Sequence, residues 1–333
     1  MRILGIESSC DDTAAAVLVD GCRLLSSVLS SQDQIHSRFG GVVPELASRH
    51  HLENIHPIVE AALQQADHSI QDIDLIAATQ GPGLIGSLLV GFSYAKALSY
   101  QSGIPYIGVD HMSGHLLSVF LEEEVPFPYV ALIASGGTSS IFLVNSYTEF
   151  QHLGRTRDDA AGEAFDKVAK LLNLPYPGGP HVAQMAEKGD EKSISFPRAW
   201  LEENSLDFSF SGVKTAVLNH CNQQKGKNLP LRIEDICASF QEAVIDVLVE
   251  KTLKAAARHG IQTVVLGGGV SSNQRLRQVF RECCERAGLS FHVPRPAFCT
   301  DNAAMIALAG YHKYLKCGEM HSSEDVYSRS VLG

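Results

Sequence analysis

The same order of strands and helices recurs along this 333-residue chain, and that repetition limits the folds open to it. Residues 2–7 (RILGIE) and 13–19 (TAAAVLV) read as strands joined by Ser8–Asp12, and a third strand follows at about 22–30. Pro44 opens a helix that Leu52, Ile55, Val59 and Leu63 continue at helical spacing, with a kink expected at Pro57. Residues 74–79 are a strand and Gly81-Pro82-Gly83 a tight turn. The helix from Leu84 to Ser99 is apolar nearly all round and so buried. A strand at 105–109 leads into a helix beginning at His111. The stretch Glu122–Pro128 has the composition of a linker, and beyond it the pattern restarts. Strands at 129–134, 139–145 and near 149–154 are followed by a long, largely helical region. Then come a strand at 263–266, a helix from Ser271 to about Ala287, a strand at 290–293 and a helix near Thr300-Asp301.

Each half thus reads as three strands, then helix–strand–helix–strand–helix. The duplication is one of topology rather than of sequence. It predicts an α/β protein of two domains, 1–124 and 125–333, facing each other across a cleft, with a helical insertion at about 155–260 in the second. The elements that begin at His111 and at Asp301 occupy equivalent places just after the last strand, at the carboxyl edge where open α/β sheets bind ligands. The two would converge if a pseudo-twofold axis relates the halves. The small residues Gly91 and Ala95 of one helix, and Ala303, Ala307 and Gly310 of another, would let those helices pack closely.

Composition excludes several classes. Hydrophobic residues make up 45% and charged residues 19% of the chain, ordinary for a protein with a packed core, and no apolar run reaches membrane-spanning length. The first residues carry too short an apolar stretch for a signal peptide, and the eight cysteines contain no Cys-x-x-Cys. Reduced thiols in the cytoplasm are expected. A net charge of −10 argues against a chain that wraps nucleic acid alone. A nucleic-acid substrate would dock on local basic residues such as Arg155, Arg157, Lys225, Lys227, Arg275, Arg277 and Arg281, or be shared with partner proteins.

His111-Met-Ser-Gly-His115 puts two imidazoles one turn apart on a helix face, a spacing that presents two nitrogens to one metal ion. Asp301 adds a carboxylate if the halves converge, although an Asp there also serves as a helix N-cap. Two His and one Asp with open positions suit zinc or iron. Three turns are built to approach an anion: Ser8–Asp12, Ser135-Gly136-Gly137-Thr138, and Gly267–Asn273. Singly each is an ordinary turn; together they argue for a nucleotide. Neither a Walker motif nor a GxGxxG after the first strand is present. Asp166 beside Tyr176-Pro-Gly-Gly179-Pro offers a carboxylate to ribose hydroxyls, or else an acidic helix start.

The segments GIESSCDDT (5–13), GGVVPELASR (40–49), GPGLIGSLLVG (81–91), HMSGH (111–115) and DDAAGEAFDKVAKLL (158–172) resemble the TsaD family. So do YPGGP (176–180), DFSFSGVKT (207–215), LGGGVSSN (266–273) and FCTDNAAMIA (298–307), in order and from end to end. The resemblance implies the actin/hexokinase-like (RNase H-like) superfamily and a tRNA adenosine threonylcarbamoyltransferase. Such an enzyme moves a threonylcarbamoyl group from threonylcarbamoyl-AMP to the N6 amine of adenosine 37, just 3′ of the anticodon, and AMP leaves. The resemblance implies one divalent metal per subunit on His111, His115 and Asp301, and substrate contacts at Ile133, Ala134, Ser135, Gly136, Gly137, Asp166, Gly179 and Asn273. Asp11 is the candidate base or orienter. The partners it implies are tRNA, TsaB and TsaE, with a TsaC-type enzyme supplying the donor. The chain departs from the family at Thr138, where His is usual, and at Asp12, where Glu is frequent. Threonine still donates a hydrogen bond, but it is no proton shuttle near neutral pH. Three competing readings are weaker. A small-molecule kinase on this fold needs no His-His-Asp set, and a metalloprotease needs a Glu inside the histidine motif. A non-catalytic scaffold needs no intact site at all.

Overall fold

The computed structural model describes residues 1–202, 204–318 and 324–332. By its contacts the chain forms two compact units. One comprises Met1–Phe127, Val144–Gln151 and Pro294–Gly333; the other comprises Pro128–Leu143 and His152–Val293.

In the first unit, β1 (Arg2–Glu7), β2 (Asp12–Val19), β3 (Arg23–Ser31), β4 (Leu75–Gly81) and β5 (Tyr106–Asp110) form one sheet in the order β3-β2-β1-β4-β5. β1 is antiparallel to β2 and parallel to β4, and β4 is parallel to β5. The helices of this stretch are α1 (Asp33–His36), α2 (Pro44–Gln65), α3 (Ile85–Ser102) and α4 (His111–Leu117). Pro44 sits in the first turn of α2, where a missing N–H costs nothing, and α2 continues as one helix past Pro57. Side chains alternate across a strand, so Leu4 and Ile6, Ala15 and Val17, and Ile76 and Ala78 share one face. That face packs on Ile55 and Val59 of α2 and Phe92 and Ala95 of α3.

The second unit repeats the plan. β6 (Tyr129–Ala134), β7 (Ser139–Ser146), β8 (Glu149–Arg155), β9 (Thr263–Gly267) and β10 (Ser290–His292) form a sheet ordered β10-β9-β6-β7-β8. Numbered from its own first strand this is again 3-2-1-4-5, read from the other edge. Both parallel steps recur, β6 with β9 and β9 with β10. Between β8 and β9 lie α5 (Ala161–Leu171), α6 (Gly178–Ala186), α7 (Ser211–Gly226) and α8 (Ile233–His259), and α9 (Gln274–Ala287) follows β9. Helix α8 is buried around most of its circumference, as its mixed apolar pattern requires, and Phe240 meets Phe165 of α5 edge-on at 5.1 Å.

After the short α10 (Pro296–Cys299), helix α11 (Ala303–Cys317) belongs to the first unit. This differs from the sequence reading, which assigned everything after residue 124 to the second domain. The physical reason is steric. A Cβ on Gly5 would lie 2.2 Å from the Ala303 carbonyl oxygen and 3.0 Å from Ala307 Cβ, and one on Gly310 would lie 2.4 Å from Ala77 Cβ. Bare backbone on β1 and small side chains on α11 bring helix and sheet together. Gly5 has the opposite parity to Leu4 and Ile6, so α11 covers the face that α2 and α3 leave open. The expected pairing of the small residues of α3 with those of α11 therefore does not occur. Gly91 instead makes room for Ser8 and Ile6. Residues Ala303–Gly310 are all buried, among them Met305, Ile306 and Leu308. Each large apolar side chain among them stabilises this packing by roughly 2 kcal/mol.

Gly5→Ala should therefore act on α11 rather than on β1. Overpacking of this kind costs about 1–3 kcal/mol. Denaturant unfolding should show a lower midpoint with an unchanged slope, and an unchanged midpoint would mean that α11 is not in fact held against β1 at this point.

Candidate metal centre and loop sites

The site in the first unit is assembled from strand ends and helix starts. β5 ends in Asp110, whose Oδ1 accepts the N–H of Met112 at 2.9 Å and so caps α4. That helix stacks His111 below His115, with ring centroids 4.6 Å apart and ring planes perpendicular. Asn302 caps α11 by accepting the N–H of Met305 at 2.9 Å, so Asp301 is not the cap that the sequence also allowed. Its carboxylate turns instead to the imidazoles: Oδ1 lies 3.4 Å from His111 Nε2 and 3.2 Å from His115 Nε2. Gly114 on α4 packs against Met305 and Ile306 of α11, which brings the two helices close enough for this meeting.

One ligand atom from each of His111, His115 and Asp301 lies within 4.8 Å of the others. The side chains are 12%, 1% and 25% exposed, so the group is shielded yet open on the carboxylate side. Sequence reasoning missed Glu7. It closes β1, is buried, and takes His111 Nδ1 at 3.0 Å, the Thr79 hydroxyl at 2.6 Å and the Ser9 N–H at 2.5 Å. A lone carboxylate closing an apolar strand was the signal available for it. With Nδ1 held by Glu7, the Nε2 of His111 faces Asp301, which is how outer-sphere carboxylates orient metal-binding imidazoles. The Nδ1 of His115 is buried with no hydrogen-bond partner among the described residues. The donor set and its outer support fit a divalent ion.

Electrostatics agree. Burial alone would lower the pKa of His111, but the carboxylates of Glu7 and Asp301 hold it well above the usual histidine value. Burial lowers that of His115, and the His111 charge adds to this against the pull of Asp301. Burial would raise the pKa values of Glu7 and Asp301, yet the charge and hydrogen bond of His111 keep both below their ordinary values. Two carboxylates flanking one imidazole thus favour a positive charge between them.

The turn Ser8–Asp12 lies in the same unit. His51 is buried between the Thr13 hydroxyl at 2.8 Å and the Cys10 carbonyl at 3.0 Å, and Ser87 also donates to that carbonyl. The turn is therefore pinned from α2 and α3. Burial raises the pKa of Asp11, and the Asp301 charge adds to it although the Cys10 thiol opposes. Burial and the Asp301 charge push Asp12 up to about 7.

In the second unit, Ile133 and Ala134 are buried at the end of β6. The turn after them closes with the Ser135 N–H donating to Thr138 O at 2.7 Å and the Thr138 N–H to Ser135 Oγ at 3.1 Å. Gly162 N–H donates to Ser135 O, and Gly268 crowds the backbone of Ala134, so α5 and the glycine turn after β9 meet this loop. Among the described residues nothing lies within 4 Å of where a Cβ would stand on Gly136, Gly137 or Gly179, so these backbones are open to approach. Asp166 accepts the N–H of Gly178 at 2.7 Å and so orders the turn that carries Gly179. Asn273 caps α9 through Leu276 N–H and donates to Gln241 at 2.7 Å, a local role for a residue expected at the substrate. A 3-10 turn, Gly269–Ser272, precedes α9, so that helix starts later than expected.

Two sheets of identical strand order, with the same parallel steps in each, are the plan of the actin/hexokinase-like fold. Solved structures share it. The component A of (R)-2-hydroxyglutaryl-CoA dehydratase from Acidaminococcus fermentans matches with TM-score 0.56 and 18% identity over 95% of this chain and 99% of its own. T. kodakarensis HypF matches with TM-score 0.64 and 16% identity over 95% of this chain and 48% of its own. The model of the family described as TsaD, tRNA N6-adenosine threonylcarbamoyltransferase, matches residues 23–308. Proteins of that name from Desulfotalea psychrophila and Moorella thermoacetica are 67% and 52% identical, over 100% and 95% of this chain and 98% and 92% of theirs. The chain belongs to the TsaD family of tRNA N6-adenosine threonylcarbamoyltransferases.

Asp12 gives a stability test with a definite sign. Its folded pKa is raised, so its ionisation opposes folding increasingly as pH rises from the ordinary aspartate value to about 7. In metal-free protein Asp12→Asn should raise Tm by about 3 °C at pH 8 and not at pH 4. The gain should shrink when a cation offsets Asp301. An unchanged Tm at pH 8 would show that the carboxylate is solvated.

Proposed function

We propose that this chain transfers the threonylcarbamoyl group of threonylcarbamoyl-AMP to the N6 amine of adenosine 37 in tRNAs that read codons starting with adenine. The observation that carries the reading is the meeting of His111, His115 and Asp301 in a chain whose whole length matches transferases of that name. The donor is a mixed anhydride with a good leaving group, so no covalent enzyme intermediate is required. The adenine amine attacks the carbamoyl carbon, the bond from that carbon to the phosphate oxygen breaks, AMP departs, and the amine gives up a proton.

The amine is a weak nucleophile because its lone pair is delocalised into the ring. The protein's work is therefore orientation, stabilisation of charge on the carbonyl oxygen, and acceptance of the proton. His111, His115 and Asp301 would hold the metal, with Glu7 fixing the first of them. Two imidazoles and a carboxylate suit zinc or iron. When bound, the ion supplies Lewis acidity toward the threonylcarbamoyl group. Asp11 is the residue assigned to the proton, since burial raises its affinity for one. Ile133 to Gly137, Asp166, Gly179 and Asn273 are the proposed substrate contacts; the open backbones at Gly136, Gly137 and Gly179 support close approach, and Asp166 and Asn273 also order the turns they stand on. Thr138 can donate a hydrogen bond there. The proposed setting is the cytoplasm, with TsaB- and TsaE-type partners sharing tRNA and a TsaC-type enzyme making the donor. Among the described residues no helix is long and apolar enough to cross a membrane.

The test is to incubate the protein and these partners with threonine, bicarbonate, ATP and unmodified tRNA, and to analyse nucleosides by mass. The wild type should form threonylcarbamoyladenosine. Asp11→Ala should lower transfer by about 10²–10⁴-fold with adenylate binding largely kept. His115→Ala should lose both bound metal and transfer. No modified nucleoside with verified components would overturn the activity, and near-normal transfer by Asp11→Ala would dismiss that residue.

A further inference from the structure

Asp110 holds more than the helix it caps. While its Oδ1 accepts from Met112, its Oδ2 accepts from the Tyr327 hydroxyl at 3.0 Å, the Ser330 hydroxyl at 2.9 Å and the Val331 N–H at 3.3 Å. The donors come from a segment without helix or strand, Glu324–Leu332, more than 200 residues further along the chain. That segment lies along the carboxyl ends of β4 and β5. The Tyr327 N–H donates to Gln80 O at 3.1 Å, Gln80 Nε2 to Asp325 O at 2.8 Å, and Lys96 Nζ to Glu324 O at 2.9 Å. A Cβ on Gly81 would stand 2.1 Å from Tyr327 O and 2.5 Å from its ring, so only glycine leaves room for the seat.

We propose that Glu324–Leu332 is a clasp that positions the metal ligands. The clasp holds Asp110, Asp110 holds the first turn of α4, and His111 is the first residue of that turn. A helix of seven residues has little stability of its own, so the direction of its imidazoles depends on what fixes its ends. Its far end is fixed by burial of Leu116 and Leu117; its first turn is held by the Asp110 side chain, by the Ser113 hydroxyl donating to Asp110 O at 2.6 Å and by burial of Met112. Tyr327 and Ser330 touch neither imidazole and act as positioning residues. Ligand sites tolerate displacements of only about 0.5 Å before they loosen. This proposal rests on the metal reading of His111, His115 and Asp301.

The test compares the full chain with Tyr327→Phe/Ser330→Ala, Asp110→Asn and Ser330→Thr. The asparagine keeps the Oδ1 acceptor for Met112 but turns Oδ2 into a donor facing three donors. Metal affinity is read by chelator competition and ligand geometry by the absorption spectrum of the cobalt(II)-loaded protein. The double variant and Asp110→Asn should bind metal about tenfold more weakly and show a shifted cobalt spectrum. Their kcat should fall with the KM for tRNA unchanged, and Ser330→Thr, which keeps its hydroxyl, should match the wild type. Variants with wild-type affinity and spectrum, whatever their Tm, would reduce the segment to a cover over strand ends and overturn the proposal alone. A wild type that takes up no metal would overturn the metal reading and the clasp with it.

Discussion

The candidate site of the first unit depends on one contact, that of the part-exposed Asp301 carboxylate with two imidazoles. The fully buried carboxylate of the cluster is Glu7, which would be costly alone, and its contact with His111 offsets that cost. The arrangement requires β1 to end at Glu7, β5 at Asp110 and α11 to begin just after Asp301. Each of those positions is set by something else: Gly5 lets α11 approach, Asn302 starts it, and Asp110 starts α4. The ligand cluster is thus the joint product of three chain segments, none of which contains it.

Charge also explains why the acidic turn at Asp11 and Asp12 tolerates its setting. Both carboxylates feel Asp301 and both have raised pKa values. A cation at the imidazoles would relieve that repulsion, so occupancy of the metal site and the protonation of the turn are linked. In the proposed acyl transfer a proton must be taken and an oxygen charge absorbed, and a carboxylate of raised proton affinity near a cation would meet both needs.

Much of this was readable in the residues. Alternation marked the strands, the duplicated order of elements foretold two equivalent sheets, and His111, His115 and Asp301 were picked out as one set. The destination of α11 was not readable, because Ala303, Ala307 and Gly310 would suit any close partner, and only the absence of a side chain at Gly5 selects β1. In Thr300-Asp301-Asn302 each residue is a competent cap, and backbone geometry alone decides that Asn302 caps and Asp301 does not. Glu7 gave a weak signal, since one acid at a strand end is commonplace. Tyr327 and Ser330 gave none, for their partner Asp110 is more than 200 residues away.

The return of α11 to the first sheet has a consequence for biosynthesis. His115 and Asp301 are 186 residues apart, so at ordinary elongation rates roughly 10–40 s separate their emergence. During that interval β1, β4 and β5 can pair, but the face of the sheet that receives α11 stays bare and the histidines lack their carboxylate. A nascent chain therefore holds an incomplete ligand set until the second unit has been made. Any ion that needs all three ligands would therefore enter only after synthesis has passed residue 301.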